Sequence, residues 1–134
     1  MSDTEAVLFV NEAFYVNFSG GDAEAIGTLW SSVAPVSCIH PGWELLSGRE
    51  AVLESWRSIL RGGAPSIRCR DPKVLFYGNA AIVLCYEEID GTFLVATNIF
   101  VRESGTWKMA HHQAAPTRGK PADDLNGSEK PKVN

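Results

Sequence analysis

Residues 66–115 read SIRCRDPKVLFY-GN-AAIVLCYEEI-DG-TFLVATNIFVRE-SG-TWKMAHHQAA, four apolar runs separated by three two-residue turn signals. Gly78-Asn79, Asp90-Gly91 and Ser104-Gly105 are the dipeptides that tight hairpins demand, because the primed turns require positive φ. The runs are rich in β-branched and aromatic residues and have a period of two, so they are expected to be strands over about 66–77, 80–89, 92–103 and 106–115. Pro72 has no N–H for a ladder, which places it at a sheet edge or a bulge.

A two-residue turn also fixes register, because the residues flanking it pair and paired residues share a face. Phe76 should then face Ala81, and Val74 should face Val83. Glu87 should face Leu94, Cys85 Ala96 and Val83 Asn98. Phe100 should face Met109, Asn98 His111 and Ala96 Gln113. One face thereby gathers Val74, Phe76, Val83, Cys85, Glu87, Ala96, Asn98, Phe100, Trp107, Met109, His111 and Gln113. The other takes Leu75, Tyr77, Ile82, Leu84, Tyr86, Val95, Thr97, Ile99, Ala110 and His112. Both faces are apolar, unlike a sheet with one solvated side. One is expected to meet helices and the other a second copy of the chain in a symmetric dimer. The first face mixes large apolar groups with Glu87, Asn98, His111 and Gln113, the composition of a ligand wall.

Upstream the period changes to that of helices. Ser2 and Glu5 have capping-box spacing and precede Val7, Val10, Phe14 and Phe18; Gly20-Gly21 ends that helix. Asp22 caps a second helix, with Ile26, Leu29 and Trp30 inward. A short strand over 36–39 stops at Pro41-Gly42. Ser47 and Glu50 repeat the capping-box spacing before a third helix with Val52, Trp56, Ile59 and Leu60 on one stripe, ended by Gly62-Gly63. Helices on one side of an antiparallel sheet make an α+β domain. It is expected to span residues 1–116 of the 134, with 117–134 a polar, disordered tail.

The formal net charge is −4, with no basic stripe, which argues against nucleic acid or anionic membrane as partner. No apolar run approaches the ~20 residues of a membrane helix. The start Ser2-Asp3-Thr4-Glu5 lacks the basic segment of a secretion signal, so a cytoplasmic location is expected. Cys38, Cys69 and Cys85 are odd in number and widely spaced, and are read as buried small hydrophobes. No nucleophile elbow, phosphate loop or dinucleotide motif is present. His40, His111 and Glu87 or Gln113 would be the set for a metal, but no ligand spacing supports one. Neither a metal nor a cofactor is expected.

Four stretches carry a family resemblance. They are Phe14-Tyr15 with Gly21-Asp22; Cys38-Ile39-His40-Pro41-Gly42-Trp43; Gly48-Arg49-Glu50-Ala51-Val52 with Ser55-Trp56; and Gly105-Thr106-Trp107 running to His111-His112-Gln113. Over roughly residues 5–116 the chain resembles SnoaL-like members of the nuclear-transport-factor-2-like superfamily. The resemblance implies a cone-shaped fold of three helices on a curved antiparallel sheet, an internal pocket and dimers formed through the sheet. The superfamily includes ketosteroid isomerase, which places a tyrosine on the first helix, a carboxylate base on the short strand and a protonated acid on the sheet. The matching regions here hold Tyr15, His40 and Asn98, so that mechanism does not carry over unchanged.

The resulting expectation is a small, mostly apolar or aromatic ligand in the pocket. His40 or His111 would be the general base for proton transfer in an isomerisation, cyclisation, hydration or elimination. Tyr15, Asn98 and Gln113 would orient the ligand, with Trp43, Trp56, Cys85, Glu87, Phe100, Trp107 and Met109 around it. The alternative is a non-catalytic ligand-binding or dimerising association domain.

Overall fold

The computed structural model describes residues 1–122. Its elements run α1 (Asp3–Ser19), α2 (Ala23–Leu29), β1 (Ser37–Ile39), β2 (Leu46–Ser47), α3 (Arg49–Arg61), β3 (Arg68–Tyr77), β4 (Ala80–Ile89), β5 (Thr92–Glu103) and β6 (Thr106–Pro116). The strands form one mixed sheet in the order β2-β1-β6-β5-β4-β3. β1 lies parallel to β6, and the other neighbours are antiparallel.

The hairpins set this sheet. Tyr77 pairs with Ala80, Ile89 with Thr92 and Glu103 with Thr106, so each loop has two residues. Asp90 and Gly91 both have positive φ (51° and 77°), as do Ser104 and Gly105 (51° and 79°). These are type I′ turns, whose twist matches that of the strands. The β3 register shifts between Arg70 and Lys73, so the bulge takes Asp71 and Pro72 on the sheet's edge strand. A proline there sacrifices no ladder bond.

Val83 pairs with Asn98, Cys85 with Ala96 and Phe100 with Met109, as the turns dictate. Beyond Met109 the expected register fails. Phe100 opposes Met109 but Ile99 opposes His111, leaving Ala110 without a partner. One extra residue in a strand reverses its alternation. His112 and Ala114 therefore point inward, while His111 and Gln113 point outward. The expected places of His111, Gln113 and His112 are corrected accordingly.

The Ser2 capping box forms with both of its hydrogen bonds, and Asp22 accepts from the Ala25 N–H. The box expected at Ser47 and Glu50 does not form. Ser47 is drawn into β2 opposite Ser37, and Gly48 becomes the cap with φ of 96° and no side-chain bond. Arg49 compensates by donating to the carbonyls of Gly27, Trp30 and Ser31, which ties the start of α3 to the end of α2. A Cβ at Gly48 would meet nothing within 4 Å, so only the backbone opposes it. Gly48→Ala is expected to cost about 1–3 kcal/mol in urea unfolding. An unchanged midpoint would contradict this account of the cap.

The three helices cover the inner face, where Phe14, Tyr15, Trp30, Trp56, Phe100 and Met109 are almost fully buried. The outer face stays partly open at Leu75, Tyr77, Leu84 and Val95. Past β6, Gly119 lies against the Tyr86 hydroxyl and Pro121 is buried. The remainder of the expected tail, 123–134, lies outside the described residues.

Candidate functional site

The α1 stripe that meets the sheet is Val7, Asn11, Phe14 and Tyr15, so two polar side chains enter the interior from one helix. β4 adds Cys85 and Glu87, β5 adds Asn98, and the bulged part of β6 adds His112. All these side chains except Phe14 and Val7 are polar or polarisable, and they are joined.

Asn98 is the hub. Its amide nitrogen donates to Asn11 Oδ1 (2.9 Å) and to Tyr15 Oη (3.1 Å). Its oxygen therefore faces His112 Nδ1 at 2.6 Å, which must carry the proton of that bond. His112 is thus held as the tautomer with a free lone pair on Nε2. Tyr15, accepting from Asn98, donates its own proton to Glu87 Oε2 at 2.7 Å. His112 Nε2 lies 3.8 Å from the same carboxyl oxygen. This is not an ion pair, because burial holds His112 neutral and pushes its pKa down to about 3. Burial pushes the Glu87 carboxyl the other way, up to about 7, against the opposing Tyr15 hydrogen bond. Burial first, and then the Glu87 charge, hold Tyr15 well above the usual phenol value.

His40 reaches the interior from the end of β1. Ser55 Oγ gives its proton to the Val52 carbonyl at 2.6 Å and so accepts from His40 Nε2 at 2.8 Å. Burial lowers His40 to about 4, so it too is neutral. Its ring stands edge-on to Trp43 (4.8 Å) and perpendicular to Trp56 (4.6 Å, 89°).

Between these groups lies a cavity of about 270 Å³. Its polar lining is His40, Glu87 and His112; Phe18, Trp43, Trp56 and aliphatic side chains from α3, β4 and β5 form much of the rest. The Trp56 indole N–H is buried with no hydrogen-bond partner among the described residues. Of the residues expected at the site, His40, Trp43, Trp56 and Glu87 meet at this cavity. Tyr15, Cys85 and Asn98 stand behind its wall, with Tyr15 hydrogen-bonded to Glu87 and 3.4 Å from Cys85. Phe100 and Met109 are packed in the core, and Trp107 lies beneath the Arg102 guanidinium at 4.5 Å; none of the three lines the cavity. Gln113 is exposed on the outer face. His111, also turned outward, bonds the Ser37 hydroxyl at 2.7 Å and cannot act as the interior base. His112, Asn11 and Ser55 were the unforeseen polar members; the first was hidden by the β6 bulge, and the other two sit on helical stripes otherwise made of core residues.

Three of the shifted groups, Glu87, His40 and His112, give stability a defined pH dependence. The native state favours protonated Glu87, so its stabilisation is complete below 4.5 and is lost as pH rises to about 7, a difference of about 3 kcal/mol. It favours neutral His40 and His112, whose stabilisation is complete above 6.5 and is lost as pH falls toward about 4 and about 3. Between these limits the two histidines outweigh the single carboxyl, so stability rises from pH 5 to 6.5. In Glu87→Gln this rise should steepen by about 1 kcal/mol per pH unit. Equal slopes in chemical unfolding would mean that Glu87 ionises normally.

Residues 7–118 match the sequence profile of the SnoaL-like domain. Among solved structures, the chain is similar to a candidate dehydratase of the NTF2-like family from Streptomyces avermitilis. The two are 32% identical with a TM-score of 0.79, over 87% of this chain and 97% of the other. It is also similar to a protein from Thiobacillus denitrificans designated a calcium/calmodulin-dependent protein kinase type II association domain. That pair is 26% identical with a TM-score of 0.73, over 81% and 93% of the two chains. The F-box protein SKIP8 of Arabidopsis thaliana is 28% identical over 115 residues, which are 84% of this chain. The chain spans about half the length of that relative. No helix among the described residues is long and apolar enough to cross a membrane. With the profile matched across most of its length and the three-helix, six-stranded architecture in place, the chain belongs to the SnoaL-like domain family of the NTF2-like superfamily.

Proposed function

We propose that this is a cytoplasmic, cofactor-independent protein that binds a small, largely apolar or aromatic molecule in the 270 Å³ cavity and moves a proton on it. The observation that carries this reading is Glu87, a buried carboxyl on the cavity wall with its pKa raised to about 7. A group that titrates near the working pH is effective as a general acid or base. Ionised Glu87 would take a proton from carbon beside a carbonyl, and the bonding pair would move onto the carbonyl oxygen. Tyr15 holds the carboxyl, and Trp56 has a spare N–H for an acceptor on the ligand. His40 and His112, both neutral, shape and polarise the wall without adding charge. The similarity to a candidate dehydratase agrees with chemistry of this class.

The test is exchange of α-protons from small cyclic and aryl ketones into deuterium oxide, followed by proton NMR. Catalysed, saturable exchange supports the proposal. Exchange no faster than in buffer, for every ketone tried, overturns it.

A second reading rests on the outer face. Leu75, Tyr77, Leu84 and Val95 are each more than a third exposed on one side of the sheet, and such a patch favours association with a second copy. Similarity to a kinase association domain supports a homodimer through the sheet, with or without catalysis. Val95→Lys is expected to give monomers in sedimentation at concentrations where the parent is dimeric. A parent that sediments as a monomer overturns the dimer.

A further inference from the structure

Among the described residues, the cavity lining holds a carboxyl and aromatic rings but no cation. None of its lining residues is lysine or arginine, and both of its histidines are neutral. What shares the lining with Glu87 is instead a set of rings in different orientations. Trp56 stands at 77° to Phe18 (5.3 Å) and at 89° to His40 (4.6 Å), and His40 at 70° to Trp43 (4.8 Å). Ring faces attract a cation through their quadrupoles, most strongly for tryptophan and where water is excluded. A buried carboxyl without a countercharge gains most from a ligand that brings one. An anionic ligand would meet the opposite situation, with a carboxylate beside it and no guanidinium or ammonium to hold it.

We propose that the ligand is a small organic ammonium ion, seated among Trp43, Trp56 and Phe18 with its charge against Glu87. This rests on the reading of the cavity as the ligand site and names the class of molecule it takes. A hydroxyl or carbonyl on the same molecule would accept the spare Trp56 N–H.

The experiment compares three probes of nearly equal shape by calorimetry and NMR. They are choline, its uncharged carbon isostere 3,3-dimethylbutan-1-ol, and the anion 3,3-dimethylbutanoate. Choline is expected to bind at least tenfold more tightly than the alcohol, with the anion weakest. Glu87→Gln should erase the preference for choline over the alcohol. Should that variant not fold, Trp43→Ala serves in its place, since Trp43 is a partly exposed wall residue, and it should weaken choline more than the alcohol. Equal binding of choline and the alcohol overturns the ammonium assignment and leaves the cavity as an apolar ligand site. Binding of an aryl ketone but of none of the three probes does the same. Failure of every probe and every ketone to bind overturns both the assignment and the ligand reading beneath it.

Discussion

Replacing Glu87 with glutamine is expected to slow catalysed α-proton exchange by roughly 10²–10⁴-fold, the usual contribution of a placed general base. Glutamine preserves the shape of the side chain and can still accept from Tyr15 Oη, which now lies 2.7 Å from a carboxyl oxygen. What disappears is the ability to take a proton. With ionised Glu87 as the proposed base, the parent protein's exchange rate should rise with pH through about 7 and then level off. His112 cannot produce that profile, since it is already neutral from about 3 upward. Nor can His40, neutral above about 4. A pH profile flat from 5 to 9, or a Glu87→Gln variant within threefold of the parent, would remove Glu87 from the mechanism.

Asn98→Ala is expected to be the most destabilising single change in the polar interior, on the order of 4 kcal/mol. Three groups lose their partner at once: the Asn11 oxygen, the Tyr15 oxygen as acceptor, and the His112 Nδ1 proton. Each buried orphan costs about 1–3 kcal/mol, and a cavity forms as well. His112 would also lose the bond that fixes its tautomer. Asn98→Asp keeps an acceptor for His112 but offers no amide donor to Asn11 or Tyr15, so an intermediate loss is expected. Chemical unfolding of both variants gives these losses, and that of Asn98→Ala, Asn11→Ala and the double variant measures the coupling. Additive losses at Asn98 and Asn11, which are in direct contact, would show that the network is not cooperative.

How much of this was legible depended on which local rules were left unopposed. The hairpins at Gly78-Asn79, Asp90-Gly91 and Ser104-Gly105 fixed strand pairing because two-residue turns admit few geometries. The inward placement of Cys85, Glu87, Asn98, Phe100 and Met109 followed from pairing alone. The bulge at Ala110 left no mark in the sequence, since alanine suits a paired or an unpaired strand position equally. That single residue exchanged His111 for His112 and moved Gln113 out of the interior. Ser47 likewise had two local options, cap or strand, and only tertiary pairing with Ser37 decided between them. Asn11 and Ser55 were obscured because a polar residue on an apolar stripe becomes visible as a network member only once its partners are known.

The cavity beside Glu87 serves as a ligand site only if small molecules occupy it in solution. The most direct test is a ¹H–¹⁵N and methyl NMR titration with the ketone and ammonium probes, following the Trp56 indole N–H and the Ile89 and Leu94 methyls, which line that cavity. Saturable shifts at these positions are predicted, with the indole proton moving downfield as it gains an acceptor, while Leu75 and Leu84 on the outer face stay still. Unmoved cavity resonances at saturating probe, or shifts confined to the outer face, would contradict it.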